Sequence, residues 1–213
     1  MLKVNMERRI FAVGDIHGCR DKLDRLLGKI DWRPENHEEL VFLGDYIDRG
    51  PDSYGVVEKV LELKARWRNR VVVLKGNHEQ MFINFIYGRE KPALASNGVA
   101  WTMRSYSKNS PFPVSHVEFY ENLCLFHETE KHIFVHAGLR PGLPLDRQSE
   151  EDFLWIRDEF LESDYDFGKT IVFGHTPFKA PFIFPGRAGL DTGAVFGGPL
   201  TCLEVVEGRL IHV

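Results

Sequence analysis

Three short segments place acidic and imidazole side chains beside glycines, each directly after an apolar run. They are GDIHG at residues 14–18, GDYIDRG at 44–50 and GNHE at 76–79. A turn needs glycine, but it does not need an aspartate and a histidine two residues apart. In an extended chain, residues i and i+2 point the same way. We therefore expect Asp15 and His17 to hold one cation together.

Two further histidines follow apolar runs later in the chain, His136 in FVHAG and His175 in VFGHTP. With the earlier segments they offer carboxylate, imidazole and amide ligands, a mixed set that suits Mn, Fe, Zn, Co or Ni better than Ca or Mg. A carboxylate such as Asp45 can bridge two ions, and two ions can clamp a phosphoryl group. Each residue alone could be a helix cap, a turn residue or a buried histidine, but five such places favour one metal centre.

The elements that must position these residues alternate between strand and helix in the first half of the chain. Apolar runs at 10–13, 40–43 and 71–74 predict strands, and helical spacing over 21–30 and 56–63 predicts the helices between them. This order implies right-handed crossovers and a parallel sheet. Sites in open α/β sheets lie at the carboxyl ends of strands, which is where the three segments fall.

The rest of the chain is less regular. The stretch from about 88 to 122 mixes prolines, serines and aromatics, and we interpret it as a small irregular or helical insertion, or lid, within one domain spanning 1–213. A helix is expected near 150–160, and the last two strands should form a hairpin. Short strands are predicted at 123–126, 133–135, 171–173, 182–184, about 199–206 and 210–213.

Composition narrows the classes of function. The chain has 213 residues with 43% hydrophobic content and a net charge of −4, which argues against nucleic-acid binding because that needs clustered Lys and Arg. The three cysteines, Cys19, Cys124 and Cys202, form no CxxC pair and fit a reducing compartment. The N-terminus lacks a signal-peptide pattern, and no apolar run has transmembrane length. We expect a cytoplasmic protein without a membrane or nucleic-acid partner.

The motifs GDxHG, GDxxDRG and GNHE, in this order and with 25 residues between neighbours, resemble the signature of the PPP-type metallophosphoesterases. The resemblance spans residues 10–206, and HAGLRPG is similar to the bacterial and phage serine/threonine phosphatases of the lambda-phosphatase kind. It implies an α/β (α+β) fold, a four-layer αββα sandwich of two mixed sheets flanked by helices. It also implies two divalent ions, Mn first among them, and an activated water that attacks phosphorus in line.

The resemblance also assigns roles to the residues that match its motifs. His78 would be the general acid, oriented by Asp48, while Arg49, Arg157 and Asn77 would bind the substrate phosphate. The implied metal ligands are Asp15 and His17 for the first ion, Asp45 for both ions, and Asn77, His136 and His175 for the second.

Two substrate classes fit these motifs. The favoured class is a phosphoserine or phosphothreonine protein or peptide, and also phosphotyrosine. Two residues favour it: Asp48 within DRG and Glu79 at the end of GNHE. Relatives that cut diadenosine tetraphosphate commonly lack the aspartate of DRG and carry Asp in place of the glutamate. The alternative is a dinucleoside polyphosphate, whose adenine could lie between aromatics of the 88–122 stretch such as Trp101 and Tyr106.

A third hypothesis is a binding module that has lost catalysis. It should lack one of the metal-ligating residues, and none is lacking. The chain lacks the long C-terminal loop of eukaryotic members, so no regulatory subunit is expected.

Overall fold

Two mixed sheets form the centre of the protein, whose computed structural model describes residues 8–89, 98–109 and 111–213. The strands are β1 (Ile10–Val13), β2 (Glu39–Phe42), β3 (Val71–Val73), β4 (Phe126–Glu128), β5 (His132–Val135), β6 (Thr170–Phe173), β7 (Phe182–Phe184), β8 (Arg187–Gly189), β9 (Thr201–Glu204) and β10 (Arg209–His212). The helices are α1 (Arg20–Lys29), α2 (Ser53–Trp67), α3 (Asn77–Ile86), α4 (Val99–Tyr106), α5 (Val114–Glu121), α6 (Glu150–Trp155) and α7 (Asp158–Leu161).

Each sheet has a parallel part that ends at the functional edge. The first sheet runs β10-β9-β1-β2-β3, with β1, β2 and β3 parallel and with β9 and β10 forming the predicted hairpin. The second runs β4-β5-β6-β8-β7, with β5, β6 and β8 parallel and an antiparallel strand at each edge. The predicted parallel first half is confirmed.

Alternating side chains on the strands build the layers. In β1, Phe11 and Val13 pack with apolar residues of α1 and α2, while Ile10 and Ala12 pack with residues of the second sheet such as Phe134. The far face of the second sheet packs with α6 and α7 in a third cluster. Because side chains alternate across a strand, each sheet is buried on both faces. The order is helix, sheet, sheet, helix, which confirms the αββα fold.

Three sequence predictions differ from the structure. The helix expected near 150–160 is divided into α6 and α7 at Ile156 and Arg157, where Arg157 has φ −135° and ψ −95°. The strand expected at 123–126 begins only at Phe126, because Leu123 is buried among apolar side chains and Cys124 makes a single bridge to Leu74. Strand β8 was not predicted, since its sequence RAG has no β-branched residue.

The 88–122 stretch contains α4 and α5, as far as it is described; residues 90–97 and 110 lie outside the described part. Helix α4 contacts α2, and α5 contacts α2 and α3. In the described ranges, no helix is long and apolar enough to cross a membrane.

Candidate metal centre and active site

The polar side chains from both sheets converge where the parallel strands end. Asp15, Asp45 and Asn77 follow β1, β2 and β3, and His136 and His175 follow β5 and β6. The two sheets are tied together at this edge, because His136 Nδ1 donates to the carbonyl of Leu43, 2.9 Å away. All five polar residues are buried.

The first cluster consists of His17, Asp45 and His78, whose potential ligand atoms lie within 4.8 Å of one another. His17 Nδ1 donates to the Ile47 carbonyl at 2.7 Å, which leaves the lone pair on Nε2 directed into the site. Burial lowers the pKa of His17 to about 3. The ring is therefore neutral near pH 7, the form that binds metal.

The second cluster consists of Asp45, His136 and His175, again within 4.8 Å. Burial lowers the pKa of both histidines, so both rings are neutral. Asn77 Oδ1 lies 2.9 Å from His136 Nε2 and 3.0 Å from His175 Nδ1, and the buried His175 Nε2 has no hydrogen-bond partner. Because His136 Nδ1 donates to Leu43, its Nε2 lone pair faces the Asn77 oxygen without a proton between them, which is unfavourable and which a cation placed there relieves. The donor set fits a divalent metal.

Asp45 belongs to both clusters. Its Oδ2 lies 3.4 Å from His17 Nε2, and its Oδ1 lies 3.5 Å from His136 Nε2. One oxygen therefore faces each cluster, which is the arrangement a bridging ligand needs. Burial alone would raise the pKa of Asp45, but the four surrounding histidines, which are charged at the low pH where this carboxyl titrates, outweigh burial and lower it.

Asp15 lies beside the centre in a different way from that expected. The segment is not extended at His17, whose φ is +45°, so the argument that residues i and i+2 point the same way does not hold here. The Asp15 carboxylate accepts from the backbone N–H of His175 through both oxygens, at 3.1 and 3.0 Å. Burial, then Asp191 and Asp45, raise its pKa well above the usual range. Its role as a ligand remains a prediction.

His78 and Asp48 form a buried pair at the same edge. His78 Nδ1 lies 2.7 Å from Asp48 Oδ2, so the ring's other nitrogen is free to face the site. The His17 and His78 rings are 4.7 Å apart, centroid to centroid. Burial would lower the pKa of His78, but Asp45 and Asp48 outweigh it and raise the pKa. The geometry permits His78 to donate a proton or to act as a third ligand of the first cluster.

The two predicted phosphate-binding arginines have different neighbours at the centre. Arg49 is partly buried, and its Nη1 lies 2.5 Å from His17 Nε2. Arg157 is exposed between α6 and α7, and its Nη1 donates to Thr176 Oγ1 at 3.1 Å. Its charge adds to the burial that lowers the pKa of His136.

Sequence reasoning missed the structural role of Glu79. Its buried carboxylate accepts hydrogen bonds of 2.9 Å from the backbone N–H groups of Asp45, Tyr46 and Gly76. Glu79 is the third residue of α3, and Gly76 is the N-cap, so the spacing is that of a capping box. That signal was available in GNHE. Burial, then Asp45, raise the pKa of Glu79 to about 8.

The two aromatics proposed to hold an adenine have different positions. Tyr106 is buried, stacks on Phe112 at a centroid distance of 4.1 Å, and shares its hydroxyl with His116 and Tyr120, so that expectation was wrong. Trp101 is 49% exposed and lines a hollow of about 610 Å³ together with Pro51, Asp52 and Tyr54.

Asp191 also lies close enough to Asp15 to raise the pKa of that carboxyl. Burial raises the pKa of Asp191 itself to about 6.

The fold and the paired clusters around Asp45 define a metallophosphoesterase. The chain belongs to the calcineurin-like phosphoesterase family, whose sequence pattern matches residues 8–205. It is 29% identical to the bis(5'-nucleosyl)-tetraphosphatase PrpE (asymmetrical) of Oceanobacillus iheyensis, over 96% of this chain and 92% of that protein.

Solved structures agree with the family. A candidate diadenosine tetraphosphatase superposes with a TM-score of 0.77 at 25% identity, covering 98% of this chain and 94% of the other. A Saccharomyces cerevisiae protein serine/threonine phosphatase superposes with a TM-score of 0.68 at 19% identity, covering 99% of this chain and 80% of the other, which shows a shared fold alone.

Proposed function

We propose that this chain hydrolyses dinucleoside tetraphosphates asymmetrically, to a nucleoside monophosphate and a nucleoside triphosphate. The observation that carries the proposal is the likeness, over nearly the full length of both chains, to proteins named as asymmetrical bis(5'-nucleosyl)-tetraphosphatases. The structural neighbour with a TM-score of 0.77 supports the same substrate class. The phosphopeptide preference expected from sequence becomes the second candidate.

One of the two residues that favoured a phosphopeptide has another explanation. Glu79 is fully buried and accepts hydrogen bonds from backbone groups beneath Asp45, so its carboxylate is committed to the loop and does not face a substrate. The presence of Glu rather than Asp at position 79 therefore concerns how the loop is stabilised. It does not indicate which group is attached to the phosphate of the substrate.

The first requirement of this reaction is a set of residues that bind the metal ions. Asp45, His17, His136, His175 and Asn77 would hold the ions, with Asp15 beside them. Bound divalent ions would supply Lewis acidity to the phosphoryl group and to the attacking water, and Mn is the first choice for this mixed ligand set.

Hydrolysis needs charge neutralisation at the phosphate and a path for the leaving group. A bond forms from water oxygen to phosphorus, and the bond from phosphorus to the bridging oxygen breaks, with its electron pair leaving on the departing nucleotide. Arg49 would bind the equatorial oxygens through its planar donors. A departing phosphate anion needs a proton much less than an alkoxide does, so the proton from His78 would matter least for a dinucleotide.

The Asp48–His78 pair is the observation that keeps a phosphomonoesterase as second candidate. The hydrogen bond of 2.7 Å between them holds the imidazole for proton donation. Such an arrangement is most useful for serine or threonine alkoxide leaving groups, where general-acid catalysis contributes typically ~10²–10⁴-fold.

A substrate panel decides between these candidates. The protein is stripped with chelator, reloaded with Mn, and assayed for kcat/KM on diadenosine tetraphosphate and on phosphoserine, phosphothreonine and phosphotyrosine peptides. Asp45→Asn, purified in parallel, measures contaminating activity. We expect the dinucleotide to have the highest kcat/KM. If any phosphopeptide exceeds it, the phosphatase assignment replaces this one.

A further inference from the structure

An exposed aromatic ring stands beside the arginine proposed to bind phosphate. Phe196 is 67% exposed, and the Arg49 guanidinium carbon lies 5.6 Å from its ring centroid. Arg49 in turn contacts His17 in the first metal cluster. The ring therefore lies one side chain away from the phosphate site, on the side of the first cluster.

The turn that carries Phe196 is firmly held. It comprises Ala194–Phe196 and is enclosed by Gly193 and Gly197, both in the left-handed region with φ +68° and +93°. Lys22 Nζ donates to the carbonyls of Ala194 and Gly198, at 2.7 and 2.5 Å. A solvent-exposed apolar ring on a rigid turn is preorganised to bind the apolar face of a ligand, because the turn loses little conformational freedom on binding.

We propose that Phe196 is a stacking platform for the nucleobase of the nucleotide whose phosphate Arg49 binds. This rests on the proposed function, because a nucleotide carries a flat base near its phosphate and a phosphoserine or phosphothreonine peptide does not. Stacking of a base on an aromatic side chain is worth ~1–3 kcal/mol. Among the other exposed aromatics of the described part, Trp155 lies beside His175 in the second cluster, and Trp101 lies on α4.

The test measures the contribution of the base. Binding of AMP and of ribose 5-phosphate is measured by calorimetry on Mn-loaded wild type, Phe196→Ala, Phe196→Tyr and a control, Phe184→Ala. Phe184 is 56% exposed but lies on edge strand β7, beside a different hollow. KM for diadenosine tetraphosphate and for p-nitrophenyl phosphate is measured on the same proteins.

We expect wild type to bind AMP roughly 5- to 150-fold more tightly than ribose 5-phosphate, an advantage that Phe196→Ala loses and that Phe196→Tyr and Phe184→Ala keep. KM for the dinucleotide should rise similarly in Phe196→Ala, and KM for p-nitrophenyl phosphate should stay unchanged. An AMP advantage that is missing in wild type, or unchanged in Phe196→Ala, overturns the platform. The proposed function fails separately, if wild type does not hydrolyse the dinucleotide, because the AMP comparison needs no turnover.

A second, independent feature lies beneath the Asp48–His78 pair. Thr102 on α4 is fully buried; its Oγ1 donates to Asp48 Oδ1 at 2.5 Å and accepts from the Asp48 backbone N–H at 3.0 Å. Asp48 and Arg49 both have positive φ, +71° and +64°, which L residues rarely adopt. Gly98, just before α4, packs so closely that a Cβ would lie 2.8 Å from the Arg49 nitrogen.

We infer that Thr102 is a positioning residue that orients the Asp48 carboxylate toward His78. The sequence separation of 54 residues means that α4, from the inserted stretch, completes the pair. Thr102→Val keeps the shape of the side chain and removes the hydroxyl, whereas Thr102→Ser keeps the hydroxyl. Ser105→Ala is the matched control, because Ser105 lies one turn further along α4 and accepts from the Tyr54 N–H at 2.9 Å.

The readout compares leaving groups. We expect kcat of Thr102→Val to fall about 10-fold on phenyl phosphate, which needs a proton donor, and less than about 2-fold on p-nitrophenyl phosphate. Thr102→Ser should restore the wild-type ratio, and Ser105→Ala should not change it. Equal losses on both substrates, or no loss on either, would overturn the positioning role, since a purely structural defect does not distinguish leaving groups.

Discussion

Glu79 should stabilise the loop that presents Asp45 and should have no part in choosing the substrate. One carboxylate oxygen accepts from the N–H groups of Asp45 and Gly76, and the other accepts from Tyr46 and, at 3.4 Å, from Ile47. Asp45 itself has φ +50°, a conformation that needs support from its surroundings. Replacing Glu79 therefore tests how the site is built.

The structure gives the size of the effect. In Glu79→Gln the amide oxygen can keep one set of donors, but the NH₂ group must then face the other N–H. Leaving one buried N–H unsatisfied costs about 1–3 kcal/mol. For a chain of this size, 1 kcal/mol shifts Tm by about 2–4 °C, so we expect a fall of roughly 2–12 °C. Glu79→Leu leaves all four backbone N–H donors without an acceptor, and its Tm should fall further.

The assay is thermal unfolding in chelator at about pH 9, where Glu79 is ionised, so that altered metal affinity does not enter the comparison. Glu62→Gln is the control, because this exposed carboxylate on α2 pairs only with Lys59 among the contacts seen and should change Tm by a degree or two. With Mn restored, the ratio of kcat/KM for diadenosine tetraphosphate to that for a phosphopeptide should stay within about 3-fold of wild type in Glu79→Asp. An unchanged Tm in Glu79→Gln, or a switched substrate ratio in Glu79→Asp, would refute the reasoning.

Three further predictions follow from the centre. Asp45→Asn should lose activity by more than about 100-fold and retain less metal after gel filtration. Residues that merely orient metal ligands already contribute about 10–100-fold to metal affinity or activity, and a bridging ligand should contribute more. Full metal content by elemental analysis would contradict a bridging role. His78→Asn should lower kcat far more on phenyl phosphate than on p-nitrophenyl phosphate, whereas equal losses would show that His78 acts as a metal ligand. In chelator, Tm should fall as pH rises from 6.5 to 8. Asp15 and Glu79 have raised folded-state pKa values, so the folded protein loses their stabilisation as they ionise. The buried histidines have lowered pKa values and reduce stability only below about pH 6.5. A flat profile over that range would contradict this assignment of charges.

Much of the arrangement was predictable from local pattern. Apolar runs that end in Gly-Asp or Gly-Asn placed Asp45 and Asn77 at the carboxyl ends of neighbouring parallel strands, and the sheet then brings them together. The two later histidines followed the same rule in the second sheet. These inferences succeed because strand ends are set by hydrophobic periodicity, which is a local property of the chain.

Other features depend on contacts that no local pattern reports. Thr102 reaches Asp48 across 54 residues, and Phe196 reaches Arg49 from the far end of the chain. The extended backbone assumed for Asp15 and His17 is interrupted by the positive φ of His17, which local pattern did not predict. Strand β8 was not predicted, because its buried Arg187 is held by contacts with distant residues. Its guanidinium lies over the Phe160 ring and donates to the carbonyls of Leu161 and Ser163.

The most direct test of the proposed function is the identity of the products from diadenosine tetraphosphate. Mn-loaded protein is incubated with the dinucleotide, and the products are separated by anion-exchange chromatography, with Asp45→Asn as the inactive control. Asymmetrical cleavage predicts AMP and ATP in equal amounts from wild type and neither from the variant. ADP as the sole product, or no turnover by a preparation that releases phosphate from a phosphoserine peptide, would contradict it.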